Sequence, residues 1–437
     1  MNLLKISKKN KLFYDEPIIN TELKKNVRLI YADYTGTGKE TPIINKFMEE
    51  RIFPYYANTH SNSYCSYYMN ELIDNARDYI KGFYNITNQY AILFSGNGAT
   101  GAINHFANIL NTNKYEKINI IISSYEHHSN YLPWVKLSKE KENINLYIMP
   151  LKDIKNETFE IDYEWLDKFL GKITNKKNMT LLSVTACSNV IGIKTNIKKI
   201  REIINKYNNT FFASDCACIA PYERINGKLL DAFFISGHKF IGGGYTPGVL
   251  IVKKDLIMLE DPYNVGGGCV FTANKECIIY SDDIETRESA GTPNILGIIK
   301  FKKCLELQKS LLKLIKHNEK EIFNYVSNKL EELEKKYKNF KIIFPLNLNR
   351  NRLPIFCFII NEFDSDTLVG LLSKIFGIQS RGGISCCGIL GDYIYKKKHI
   401  TGWCRITFHW SMDKNNIDII LNGIEFLCLN AGKINYK

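Results

Sequence analysis

The sequence predicts an α/β fold: a large, mostly parallel sheet with helices on both faces, followed by a smaller α+β unit. Three observations carry this. From Tyr90 onward, short apolar runs alternate with helical stretches, the rhythm of a doubly wound sheet. A glycine-rich turn, Gly96-Asn-Gly-Ala-Thr-Gly101, follows the first of those runs, where such sheets open a helix. Beyond about residue 300 the pattern changes to a long Lys/Glu/Leu helix and then to mixed strands and helices. A chain of 437 residues suits two or three domains. The expected division is an N-terminal segment over 1–29 packed on the small domain, a large domain over 30–300 and a small one over 301–437.

Taken in order, Met1 to Leu29 is polar and irregular, and Ile30 to Asp33 reads as a short strand before the turn-rich Tyr34-Thr-Gly-Thr-Gly38. Pro42 to Phe53 and Tyr68 to Tyr84 have helical spacing, separated by an aromatic and polar loop that carries His60. The expected strands are Tyr90–Phe94, Ile118–Ser123, Leu146–Met149, Met179–Val184, Thr210–Ser214, Ala232–Ile235 and Val249–Val252. Ile298 to Tyr337 reads as one or two long helices. In the tail, Ile342–Phe344, Leu353–Ile360 and Cys404–His409 are strands, and Ser365–Phe376 and Asn415–Leu429 are helices.

Apolar content of 45% supports a sizeable core. No apolar run approaches the roughly 18–20 residues of a membrane span. The basic N-terminus lacks an apolar segment of signal-peptide length, so a cytoplasmic location is expected, with an organelle transit peptide as the weaker reading. Twelve cysteines are scattered without a disulfide or zinc spacing and fit a reducing compartment. The net charge of +13 comes mainly from lysine on helix surfaces. With little arginine and no interleaved aromatics, it does not predict a nucleic-acid groove.

The segment Asp231-Ala-Phe-Phe-Ile-Ser-Gly-His-Lys-Phe240 is the chemical centre. Lys239 stands at the mouth of a buried strand, followed by glycines. Burial there lowers an amine's pKa, and a neutral amine can form a Schiff base with an aldehyde. The competing reading is a strand-end lysine pointing at water. Asp215 ends another apolar strand and needs a cationic partner, either a pyridinium nitrogen or a structural lysine. The turn at Gly96, Gly98 and Gly101 offers free N–H groups to a phosphate, with Thr100 adding a hydroxyl. Read literally, those glycines with Glu126 also satisfy a dinucleotide fingerprint. The adjacent His127 and His128 sit where doubly wound sheets bind ligands.

Set out together, Ala32-Asp33, Gly98-Ala-Thr-Gly-Ala-Ile-Asn104, Glu126-His-His-Ser-Asn130, Ser188-Asn-Val-Ile-Gly192, Asp215-Cys-Ala, Ser236-Gly-His-Lys-Phe240, Ala290-Gly-Thr-Pro-Asn294 and Arg405 resemble the class V aminotransferase superfamily. They are most similar to its cysteine desulfurase and selenocysteine lyase branch, over about residues 30 to 425. The order of the motifs displaces the dinucleotide reading.

The resemblance implies a fold-type I enzyme with pyridoxal 5′-phosphate (PLP) attached to Lys239. His127 would stack on the ring, Asp215 would pair with its nitrogen, and Asn189 would lie near the ring oxygen and substrate. Ala99, Thr100, Ser236 and His238 would hold the phosphate, and Thr292 would reach the phosphate site of a second subunit in a homodimer. Arg405 would clamp the substrate carboxylate, and His60 would lie near the substrate. By direct count, Cys386 falls at the position of the branch's nucleophilic cysteine, in a glycine-rich loop over Arg381–Gly391 expected to move. A buried cysteine beside a turn is the alternative. The implied reaction removes sulfur from L-cysteine, leaving alanine and a persulfide for a sulfur-acceptor protein. An aminotransferase, a β-eliminating lyase or a binding scaffold are the other readings. Two departures bear on the reaction: Cys218 stands where the family commonly has glutamine, and Ile384 and Ser385 precede the cysteine, with Cys387 after it.

Overall fold

A computed structural model describes residues 1, 3, 11–110, 114–152, 159–257, 261–346 and 351–434. Part of the polar N-terminal segment therefore lies outside the described residues. Seven strands form the central sheet: β1 Tyr90–Ser95, β2 Lys117–Ser123, β3 Ile144–Met149, β4 Asn178–Ser183, β5 Thr210–Asp215, β6 Ala232–Ser236 and β7 Gly248–Lys253. Their spatial order is β1-β7-β6-β5-β4-β2-β3. All run parallel except β7, which is antiparallel to both β6 and β1. The reason is connection length. Only a short turn and a loop join β6 to β7, too little chain for the crossover that a parallel neighbour needs.

Both faces of the sheet are covered, so its strands read as continuous apolar runs rather than alternating ones. On one face, Phe106 of helix Gly98–Ile109 and Trp134 of helix Leu132–Glu140 pack with Ile118, Ile120 and Phe234. On the other, helix Tyr64–Phe83 and the start of helix Ile295–Lys336 bury Ile92, Leu182 and Phe233. Phe233 and Phe234 point to opposite faces of β6 and are both fully buried, each worth about 2–3 kcal/mol of apolar transfer. This double anchoring makes the end of β6 a rigid place from which to present Lys239.

Helix Ile295–Lys336 is a single 42-residue rod, begun by Asn294, whose side chain accepts from Gly297 N. At about 1.5 Å per residue it is roughly 60 Å long. Its second half packs Ile322, Val326 and Leu330 into a separate core beneath a three-stranded antiparallel sheet. That sheet comprises β8 Phe340–Ile342, β9 Ile355–Ile360 and β10 Cys404–Thr407. Helices Ser365–Phe376 and Lys414–Asn430 complete this layer. Ile30 and Ala32 also belong to that core, because Ile30–Tyr31 pairs in parallel with Ile378–Gln379.

Several local expectations are corrected. The helix expected over Pro42–Phe53 holds α geometry only to Phe47, then widens into a π turn and a 3₁₀ turn at Phe53–Tyr55. Pro54 lacks the N–H needed to continue. The next helix begins at Tyr64, and the strand expected at Ile342–Phe344 lies at Phe340–Ile342. The segment over Arg381–Gly391 runs into helix Gly388–Lys398. Two of its glycines serve close packing: a Cβ on Gly388 would stand 2.7 Å from His128 Nε2, and one on Gly391 would stand 3.1 Å from Ile384 Cγ2. No helix among the described residues is long and apolar enough to cross a membrane.

Candidate active site

The C-terminal ends of the parallel strands meet at one edge of the sheet, and a cavity of about 170 Å³ opens there. The turn after β1 contributes Gly98, Ala99 and Thr100, and the segment after β2 contributes His127 and Ser129. The end of β4 gives Thr185, Cys187 and Asn189, that of β5 gives Asp215 and Cys218, and that of β6 gives Ser236, His238 and Lys239. Thr35 and Gly36 close one side, and Arg381, Ser385, Cys386 and Arg405 close another. Ten residues singled out from the sequence thus converge: Ala99, Thr100, His127, Asn189, Asp215, Ser236, His238, Lys239, Cys386 and Arg405. A larger hollow of about 940 Å³ lies beside the long helix at Glu319 and Arg352, away from every strand end that carries these groups.

His60 and Thr292 do not join them. Both are exposed and gather around Asn58, whose Nδ2 donates to Thr292 Oγ1 at 3.1 Å and whose Oδ1 accepts from His60 N at 2.8 Å.

The glycine-rich turn is shaped for close approach. Gly98 has φ +58°, and a Cβ there would stand 2.9 Å from Ser236 Oγ and 3.3 Å from His238 Nε2. Ala99 N donates to Ser236 Oγ at 2.8 Å, and Thr100 Oγ1 lies 2.6 Å from Ser129 Oγ. These bonds tie the turn after β1 to the ends of β2 and β6.

The titratable groups are perturbed chiefly by burial. Burial pushes the Lys239 amine down, while Cys218 and Asp215 pull the other way. Burial also raises the Asp215 carboxyl, against a hydrogen bond from Ala217 N. Asp215 and Lys239 feel one another's charge, yet no ion pair joins them among the described residues. His127 is driven to about 3 by burial and then by the Lys239 charge. Its Nδ1 accepts from Ser129 N at 3.1 Å, so the proton of the neutral ring is assigned to Nε2. His238 falls to about 4 for the same first reason.

Arg405 is almost wholly buried. Its Nη2 donates to Asp33 Oδ1 at 2.6 Å and its Nη1 to Asn189 O at 3.0 Å, while Nε has no partner among the described residues. Asp33 is a functional residue that the sequence leaves without a task. Its place at the end of a short apolar strand is the local signal, but its partner lies 372 residues away. Cys386 is exposed, and both it and Ser385 have left-handed backbone, φ 55° and 54°. Asn189 Nδ2 donates to Ser385 O at 2.8 Å. Cys218 Sγ and Cys187 Sγ both approach Ser188 O, at 3.8 and 3.7 Å, so the residue replacing the expected glutamine sits beside a second thiol.

The sequence profile of the family described as Aminotransferase class-V matches residues 30–420. The chain belongs to the class-V aminotransferase family. As a member, it is an enzyme of the PLP-dependent transferase and lyase type. A protein of Borreliella burgdorferi described as a probable cysteine desulfurase is 28% identical over 422 residues, covering 94% of each chain. A cysteine desulfurase of Wigglesworthia glossinidia brevipalpis is 28% identical over 423 residues, covering 94% of this class-V chain and 95% of its own length. Among solved structures, an apo cysteine desulfurase from Thermococcus onnurineus NA1 superposes with a TM-score of 0.79 at 22% identity. It covers 92% of this chain and 95% of that one. The fold is therefore that of the fold-type I PLP enzymes.

Proposed function

We propose that this protein is a PLP-dependent cysteine desulfurase, converting L-cysteine to alanine and carrying the sulfur as a persulfide on Cys386. The observation that carries the reading is one cavity holding a burial-perturbed lysine, a buried carboxylate and an exposed cysteine. The names of the relatives at 28% identity support the same activity.

The donor set fits PLP. The cradle that a Cβ on Gly98 would fill, with Ala99, Thr100, Ser236 and His238 around it, suits a phosphate. The buried Asp215 carboxylate suits a ring nitrogen that carries a proton, and Lys239 suits the aldehyde carbon. His127 would lie against the ring, with Asn189 beside the ring oxygen and the substrate. When bound, PLP supplies an electron sink for the carbanion formed at the substrate's α-carbon.

The chain's own groups do the rest. Lys239 Nζ, whose pKa burial lowers, is the group suited to take the α-proton and return one to carbon. Arg405 offers its guanidinium to the substrate carboxylate. Cys386 Sγ, as thiolate, attacks the substrate sulfur: the S–S bond forms, the Cβ–S bond breaks, and the carbon skeleton leaves as alanine after protonation. The exposure of Cys386 suits hand-over of that sulfur to an acceptor protein.

A homodimer belongs to this reading. Thr292 and His60 stand together outside the cavity of their own chain, which supports a role for them at the cavity of a second copy. Tyr245, Phe271 and Val265 are 93%, 86% and 67% exposed, apolar surface that a second copy would cover. The product of incubating pure holoenzyme with L-cysteine tests the proposal. Alanine with sulfide released by a reductant is expected; pyruvate and ammonia would assign a β-eliminating lyase instead.

A further inference from the structure

Two neighbouring histidines follow β2, and they face different tasks. His127 lines the cavity, while His128 meets the loop that carries Cys386. His128 N donates to Cys386 O at 2.8 Å, and Gly388 N donates to His128 Nε2 at 3.1 Å. One residue thus grips the cysteine loop on both sides of Cys387. The grip demands glycine at 388, because a Cβ there would stand 2.7 Å from Nε2. Since the ring accepts at Nε2, its proton is assigned to Nδ1.

The loop needs such a hold. Ser385 and Cys386 are consecutive non-glycine residues with left-handed φ, a conformation that L-residues adopt at a cost of about 1–2 kcal/mol each. It persists only where the surroundings fix it. Asn189 Nδ2 fixes the near side at Ser385 O, and His128 fixes the far side.

The turn that supplies His128 is itself immobilised. Asn130 Nδ2 donates to Glu126 Oε2 at 2.6 Å and to Ser183 O at 3.0 Å, and Trp134 Nε1 donates to Asn130 Oδ1 at 3.1 Å. Glu126, Asn130 and Trp134 are all wholly buried. The face presented by His127 and the loop held by His128 are therefore referred to one rigid turn on the sheet.

We propose that His128 is the positioning residue for the sulfur-accepting thiol, setting Cys386 in register with the ring face that His127 presents. This rests on the desulfurase reading of Cys386. Its chemistry is mechanical: a nucleophile misplaced by about 1 Å loses on the order of a hundredfold in rate.

Holoenzymes carrying His128→Ala, His128→Gln and Gly388→Ala are compared with the parent in single turnovers with L-cysteine. The visible absorbance change on substrate binding and the formation of alanine are followed separately. His128→Ala and Gly388→Ala should slow alanine formation at least tenfold, with the binding change kept within twofold. His128→Gln, whose amide oxygen can take the Gly388 N–H, should recover most of the loss. Alanine formation within twofold of the parent in both weakened variants overturns the proposal. So does a glutamine variant no better than alanine, or loss of the cofactor band, which would make His128 a fold residue. A parent that yields pyruvate and ammonia would sink the desulfurase reading first, and the latch with it.

Discussion

Asp33→Asn tests how the buried Arg405 is kept charged and ready. Arg405 is 2% exposed and has two acceptors, Asp33 Oδ1 at 2.6 Å and Asn189 O at 3.0 Å. Removing one partner from a buried ion pair costs about 3–5 kcal/mol, because a desolvated charge is left behind. Here the cost is smaller. Asp33 retains one-fifth of its side-chain exposure, Arg381 at 3.6 Å already shares its charge, and asparagine keeps an acceptor oxygen. About 2 kcal/mol is the expected penalty for the ligand-free site. A carboxylate arriving at Arg405 supplies the missing countercharge and regains up to that amount. At 1.4 kcal/mol per tenfold, L-alanine should bind up to about thirtyfold more tightly to Asp33→Asn than to the parent. Titration of the visible cofactor absorbance with L-alanine measures this, alongside a lowered thermal midpoint without ligand. An unchanged midpoint together with unchanged alanine affinity would refute the argument that Asp33 neutralises Arg405.

Four further outcomes are expected. Cys386→Ala should abolish alanine formation from L-cysteine while substrate still perturbs the cofactor spectrum, and Cys387→Ala, at a buried thiol, should do less; parent-rate turnover by Cys386→Ala would remove the thiol from the mechanism. Asp215→Asn should retain fold and some cofactor but lose most turnover, since a neutral amide no longer holds a ring nitrogen protonated; an unchanged rate would make the carboxylate structural. Gly98→Ala should weaken PLP retention about tenfold or more, from left-handed strain and the 2.9 Å approach to Ser236 Oγ, and cofactor that survives gel filtration as in the parent would contradict it. The last concerns pH. His409 is wholly buried against Tyr34 at 3.8 Å, and burial lowers its pKa to about 3. Its folded value lies below the unfolded 6.5, so the unfolded chain binds the extra proton and stability falls as pH drops from 6.5 toward 3. His409→Phe should reduce that slope by about 1.4 kcal/mol per pH unit in urea titrations between pH 6 and 4; an unaltered slope would mean the imidazole is hydrated.

The sequence by itself determined the sheet and most of the cavity. Its strands are short apolar runs, and that signal lies in adjacent residues. Once the strands are parallel, their C-terminal ends must share one edge, so the polar groups after β1, β2, β4, β5 and β6 converge without further information. Lys239, Asp215, His127 and the Gly98 turn were legible for that reason.

What only the tertiary structure decided are the contacts between distant segments. Asp33 reaches Arg405 because Ile30–Tyr31 pairs with Ile378–Gln379, a register that no local pattern encodes. The glycines of the Cys386 loop read as freedom in sequence, yet Gly388 and Gly391 make room for His128 and Ile384 and let a helix begin. The same tertiary packing sets His60 and Thr292 together, away from their own cavity. Periodicity and turn chemistry are written over a few neighbouring residues. Which segments meet is fixed only when the burial of whole faces selects one packing.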